Sequence, residues 1–274
     1  MSAAPFELCL ITKDPELAAV AWQAGAERVF VDLETMGKAE RQRGQGLFLS
    51  DATLNDLSRV RAAFSREGVL VRINPLHAGT AAELEAVLAC GADIVMMPMA
   101  QRIEEVAAFI ALVQGRALTS LLLETKELLG AAEQLVRLHG LDEVHVGLND
   151  LRLSLGAGNL FSAIVDGHIA RVAAVCAEAG IRFGFGGVTR PTEHTLPIPP
   201  DCIIAELVRY GARMALLGRS FKSGLAGPAD LDGFKAGIEA IRARARYWSD
   251  QPPEAMDAMR NRLRSAIAEW TPHS

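Results

Sequence analysis

Residues 118–150 read LTSLLLETKELLGAAEQLVRLHGLDEVHVGLND. An apolar run from Leu118 to Leu123 ends on Glu124, a helix-patterned stretch leads to Gly140, and a second run, Val144 to Asn149, ends on Asp150. Glycine just past a helix is the left-handed cap, so the stretch reads strand, helix, strand. Runs this short and this continuously apolar suit strands buried on both faces, as in a parallel sheet. Parallel neighbours joined by a helical crossover bring their C-terminal ends to about 5 Å from each other. Glu124 and Asp150 are then expected to face one ion, as suits Mg²⁺, which takes one or two carboxylates and leaves its other positions to water and substrate. The alternative is that both acids serve the starts of the helices that follow.

The same unit recurs along the chain. Gly25, Gly68, Gly91, Gly115, Gly140, Gly180 and Gly211 each stand between a helical stretch and a short β-rich run, and Glu7 to Thr12 opens the series. Helices are predicted over Pro15 to Ala24, Thr53 to Arg66, Ala81 to Cys90, Ile103 to Val113, Lys126 to His139, Phe161 to Ala179 and Pro200 to Tyr210. Eight strands alternating with helices give the α/β class and a (β/α)₈ TIM barrel. A doubly wound open sheet would carry a glycine-rich phosphate loop after its first strand, where this chain has Lys13-Asp14-Pro15-Glu16. The barrel is expected to be a catalytic domain over 1–248. Residues 249–274 are expected to be a C-terminal helical extension, opened by Pro252-Pro253 and striped by Met256, Met259, Leu263, Ile267 and Trp270. That stripe predicts a homo-oligomer in which the helix lies at least partly on a neighbour.

With 274 residues, 50% hydrophobic and 5% aromatic, the chain suffices for one large α/β domain. Its net charge of −5 and scattered basic residues argue against nucleic acid and for a small-molecule partner. Cys9, Cys90, Cys176 and Cys202 lack metal-ligand spacing, and no basic leader or long apolar run is present, so a cytoplasmic protein without membrane contact is expected.

Catalytic groups of such barrels come from the C-terminal strand ends. There the strands deliver Asp32 and Glu34, Arg72 and Asn74, Pro98, Glu124, Asp150, the glycines Gly184, Gly186 and Gly187, and Gly218 with Arg219. Side-chain alternation puts Asp32 and Glu34 on one face, and likewise Arg72 and Asn74. An arginine inside Val69-Leu70-Val71-Arg72-Ile73-Asn74 is costly to bury unless a carboxylate or anionic ligand pairs with it. Lys38, Arg41 and Arg43 lie in the stretch 37–46, which could hold a carboxylate, a phosphate or a coenzyme A diphosphate, or remain a solvated loop. His77 reads as a loop residue near the mouth, and His145 as a residue packed inside the barrel.

The set VDLE (31–34), VRIN (71–74), LLLET (121–125) and GLNDLRLSLG (147–156) resembles the HpcH/HpaI aldolase and citrate lyase β-subunit family. The resemblance spans roughly residues 6 to 225, in order and spacing. It implies a (β/α)₈ enzyme of the phosphoenolpyruvate/pyruvate superfamily, with Mg²⁺ or else Mn²⁺ or Co²⁺ held by Glu124 and Asp150. It implies Arg72 as substrate-binding arginine, with Asn74 and Arg41 as further substrate contacts and Asp32 and Glu34 as candidates for acid–base work. The activity implied is a carbon–carbon lyase of the metal-dependent aldolase type, acting next to a 2-oxo acid through a metal-stabilised pyruvate-type enolate. An acyl-CoA lyase or thioesterase of the citrate lyase β-like branch is the alternative; a non-catalytic ligand-binding barrel is disfavoured, because a buried charged trio has little structural reason to persist. HpaI-type aldolases carry an early histidine as base, whereas this chain has none before His77, and its DLE motif runs on into Thr35-Met36-Gly37-Lys38 rather than another acid.

Overall fold

The computed structural model describes residues 6–37, 51–223, 225–227 and 229–270. Eight parallel strands close into a barrel in chain order. They are β1 Glu7–Ile11, β2 Arg28–Asp32, β3 Val69–Arg72, β4 Ile94–Met97, β5 Leu118–Leu123, β6 Glu143–Val146, β7 Arg182–Val188 and β8 Met214–Leu217. β8 returns to β1 through the pair Glu7↔Met214. The described helices around it are α1 Pro15–Gln23, α2 Leu54–Ala63, α3 Thr80–Ala89, α4 Ile103–Val113, α5 Lys126–Gly130, α6 Ala132–Leu135, α7 Leu148–Leu155, α8 Ser162–Val165, α9 His168–Ala179, α10 Pro200–Arg209, α11 Leu231–Ser249 and α12 Pro253–Glu269. Each punctuating glycine from Gly25 to Gly211 has φ between 62° and 131°, the conformation that turns a helix end back toward the next strand.

The near-continuous hydrophobicity of the strands has two destinations. Leu8, Leu10, Val29, Val31, Val69, Val71, Leu121, Leu123, Val144 and Val146 pack into the layer beneath the helices. Cys9, Phe30, Leu70, Ile94, Met96 and Leu122, with Leu216 partly buried beside them, fill the barrel itself. The expectation of strands buried on both sides is met in the manner of a filled barrel.

Three boundaries differ from the sequence reading. β6 stops at Val146, and Asp150 lies on the first turn of α7 rather than at a strand end. The reason is local: Leu148, Leu151 and Leu155 recur at helical spacing, and Leu148 and Leu151 are buried on that period. The helix expected over Lys126 to His139 breaks into α5 and α6 around Ala131, and that over Phe161 to Ala179 breaks at Gly167, whose φ is +89°.

The terminal helix packs on its own chain. Met256 and Leu263 are 8% and 0% exposed, and Ile267 and Trp270 lie partly buried against the same core. Arg260 on α12 donates to the fully buried Glu206 of α10 through Nε at 3.2 Å and Nη2 at 2.6 Å, and Arg209 reaches Asp257 at 2.9 Å. The apolar stripe is therefore covered without a neighbour, which removes the reason for expecting it to lie on one.

The end of the barrel opposite the functional strand ends is closed by charge. Arg28 donates to Glu7 at 2.6 Å and to both oxygens of Glu143 at 2.9 and 2.8 Å, and Arg182 reaches Glu7 at 2.6 Å. Burial works against the Arg28 charge, but Glu143 and Glu7 outweigh it and hold its pKa above the ordinary value. Above this floor His145 is 2% exposed, and burial, aided by the Arg28 charge, pushes its pKa down to about 3. Folded His145 is thus neutral while the unfolded chain's imidazole takes a proton below its ordinary 6.5, so this residue's contribution is intact above pH 6.5 and falls as pH drops toward 3. Within that window the expected loss approaches about 1.4 kcal/mol per pH unit, and His145→Phe should flatten it. Urea unfolding of both proteins at pH 7 and pH 5 checks this; equal pH dependence would contradict it.

Candidate active site

Asp32 and Arg72 close β2 and β3 as register partners, so both side chains enter the barrel mouth together. Arg72 donates from Nε to Asp32 Oδ1 at 2.9 Å and from Nη2 to Oδ2 at 2.8 Å, and its Nη1 lies 3.2 Å from Glu34 Oε2. Glu34, one turn of loop beyond β2, is 1% exposed. Burial opposes the Arg72 charge, but the Asp32 hydrogen bonds and the charges of Asp32, Glu34 and Glu124 overcome it and hold the guanidinium firmly protonated. The expected buried arginine therefore has a carboxylate pair, and both acids of VDLE are engaged by it.

Glu124 follows β5 directly and is 2% exposed. Its Oε1 accepts the backbone N–H of Met99 at 3.0 Å, and Met99 has φ +57°, a left-handed geometry uncommon for a side chain of that size. Gly147 makes room from the other side. A Cβ there would lie 2.7 Å from Glu124 Oε2 and 2.9 Å from its Cβ, so only glycine lets β6 turn into α7 this close to the carboxylate. Burial, then the charges of Asp150 and Glu34, push the Glu124 pKa up to about 8 against the attraction of Arg72 and the Met99 hydrogen bond. The two acids expected to share an ion are thus near enough to repel, although one comes from a strand end and the other from a helix.

Asn74 is occupied by the loop after β2. Its Oδ1 accepts from the N–H groups of Thr35 and Met36, both at 2.9 Å, and its Nδ2 donates to Glu83 Oε1 at 2.8 Å. Glu83 also lies 3.2 Å from His77 Nε2, which ties that histidine to α3. Arg41, with Lys38 and Arg43, falls outside the described residues. Glu83, Gly147 and the Met99 turn were missed in the sequence; the glycine between VHV and LNDL was the one available signal, since a glycine where a strand gives way to a helix implies a close approach.

Among the described residues no group of three or more His, Cys, Asp or Glu side chains is placed to hold a metal ion. What is present is a two-carboxylate set, Glu124 and Asp150, with negative charge in excess of the single Arg72 guanidinium that Glu124 feels. Oxygen donors of that number suit Mg²⁺, which fills its octahedron with water and substrate.

A sequence model of the HpcH/HpaI aldolase/citrate lyase family matches residues 7–188. The chain belongs to that family. No curated protein matches the sequence significantly. Solved structures of HpcH/HpaI relatives share the fold: the HpcH/HpaI aldolase from Desulfitobacterium hafniense DCB-2 is 16% identical, over 91% of this chain and 95% of that one, with a TM-score of 0.61. The citrate lyase beta subunit from M. tuberculosis, complexed with oxaloacetate and magnesium, is 17% identical over 88% and 97%, with a TM-score of 0.60. Protein CitE from Mycobacterium tuberculosis, in complex with magnesium and pyruvate, is 17% identical over 95% and 99%, with a TM-score of 0.62. Among the described residues no helix is long and apolar enough to cross a membrane.

Proposed function

We propose that the protein is a divalent-metal-dependent carbon–carbon lyase that makes or breaks a bond next to a 2-oxo acid. The observation that carries this reading is the charge imbalance at the mouth: buried Glu124 is crowded by Asp150 and Glu34, and Arg72 offsets them only in part. A carboxylate so placed is costly to keep ionised unless a cation joins it. Glu124 and Asp150 would hold that cation, and Mg²⁺ so bound supplies Lewis-acid stabilisation of the negative charge that develops on a 2-oxo acid when its C3 carbanion delocalises. Arg72, oriented by Asp32 and Glu34, presents a fixed guanidinium to the substrate's carboxylate and enolate oxygens. Asn74 and Glu83 hold the loop that carries Thr35 and Met36 at the rim. The magnesium complexes of the two mycobacterial relatives with oxaloacetate and pyruvate support the same substrate class.

A second reading, an acyl-CoA lyase or thioesterase, is favoured by the likeness to a citrate lyase beta subunit. Pyruvate in deuterated water separates the two, because enolate formation alone exchanges its C3 protons. With Mg²⁺ present the methyl NMR signal should decay, and EDTA should stop the decay. Absence of exchange with Mg²⁺, Mn²⁺ and Co²⁺ alike would refute the 2-oxo acid reading, and unabated exchange in EDTA would refute its metal dependence.

A further inference from the structure

Closure staggers the strand register, so alternate strands supply each interior layer. Following the pairs from Asp32↔Arg72 through Ser120↔Glu143 and Gly184↔Met214 round to Cys9↔Arg28 places Ile11, Arg72, Leu122 and Gly186 in one layer. Ile11 alternates with the outward-facing Leu10 and shares the inner face with Cys9, yet it is 40% exposed. A large apolar side chain on the inner face of a barrel strand stays that open only where the well opens, so Ile11 stands across the mouth from Arg72. Beside it β7 offers Gly186, where a Cβ would come within 3.3 Å of Leu216 Cβ, so the partly buried Leu216 forms the wall there. The uppermost inner positions of β7, β8 and β1 are therefore glycine, leucine and isoleucine, with no charged strand residue among them. Lys13, just beyond β1, is already paired with Asp51 at 2.7 Å. The acids and Arg72 come instead from β2, β3, β5 and the β6–α7 junction.

We infer that the well is divided, with the 2-oxo acid on the charged side and an uncharged aliphatic acceptor on the Ile11 side, where Ile11 sets specificity. This rests on the function proposed above and names its second substrate. In the synthetic direction C3 of pyruvate gives a proton to solvent. The new bond joins C3 to the carbonyl carbon of an aliphatic aldehyde, whose oxygen takes up a proton and becomes the hydroxyl of a 4-hydroxy-2-oxo acid. An alkyl chain gains by leaving water for the Ile11–Leu216 wall, whereas a carboxylate placed there would be desolvated without a partner.

The test uses the full chain with Mg²⁺ and pyruvate, comparing butanal with glyoxylate as acceptors. Wild type should favour butanal in kcat/KM by about tenfold or more, the scale on which apolar pockets discriminate. Ile11→Arg should invert that ratio, mainly through KM, and Ile11→Ala should shrink it. Because Ile11 is 40% exposed, neither substitution should lower the melting temperature much. Glyoxylate preferred by wild type, or a ratio unmoved in Ile11→Arg, overturns the inference. If wild type exchanges pyruvate C3 protons and the ratio is unmoved, this inference alone fails; if no exchange occurs, the proposed function fails and takes it along.

Discussion

Replacing Arg72 with alanine is expected to lower kcat by at least about a hundredfold, the cost of losing one donor to a developing oxyanion. The guanidinium is held by Asp32 through two hydrogen bonds and lies 3.2 Å from Glu34, so it needs little reorganisation when charge collects on the substrate. Because that interaction strengthens in the transition state, the loss should appear in kcat and not only in KM. The same bonds make a structural cost certain: Arg72→Ala strips two buried acids of their partner, and the melting temperature should fall. Affinity for Mg²⁺ should hold or rise, since the substitution removes a positive charge that acts on Glu124. Arg72→Lys should rescue turnover only in part, because an ammonium cannot reproduce the forked contact. The decisive comparison is turnover measured well below the variant's melting temperature. Near-normal kcat in a folded but less stable Arg72→Ala would leave the residue a purely structural role.

Glu124→Gln and Asp150→Asn carry the second large effect. Each should weaken Mg²⁺ binding by at least about a hundredfold, beyond what is usual for altering a ligand's outer partners. Ligand binding to the folded state raises stability in proportion to occupancy, so wild type should melt higher in millimolar Mg²⁺ and the two variants should not. In metal-free buffer Glu124→Gln should melt no lower than wild type, since the amide removes a buried charge that Asp150 and Glu34 repel. Titration calorimetry and melting curves with and without Mg²⁺ check both statements. A Mg²⁺-induced rise surviving intact in both variants would place the ion elsewhere.

The barrel was legible because its punctuation is local. A glycine needing left-handed φ at each helix-to-strand junction leaves a mark that does not depend on the rest of the fold, and all the junction glycines adopt it. Asp32, Arg72 and Glu124 were legible for a related reason: charge at the end of an apolar strand is expensive, so its position advertises a partner. Asp150 was placed in the right neighbourhood on the wrong element, since Leu148-Asn149-Asp150 alone fits a strand end or a first helical turn, and only the following Leu151 and Leu155 decide. The floor of the barrel was not legible. Arg28 and Glu143 are 115 residues apart, and neither has a local pattern that distinguishes a buried ion pair from a surface charge. Asn74 shares the inward parity that suggested a substrate contact, but the loop it binds is a matter of tertiary geometry. The α12 stripe was read correctly as apolar; what covers it depended on Glu206 lying buried on α10 to receive Arg260.

The most direct test of the account is a crystal structure of the full chain grown with Mg²⁺ and oxalate, a stable mimic of the pyruvate enolate. The expected result is one Mg²⁺ at about 2.1 Å from carboxylate oxygens of both Glu124 and Asp150, completed by oxalate and water, with the oxalate also taking hydrogen bonds from Arg72. Oxalate bound away from Arg72, or Mg²⁺ bound without either carboxylate, would contradict it.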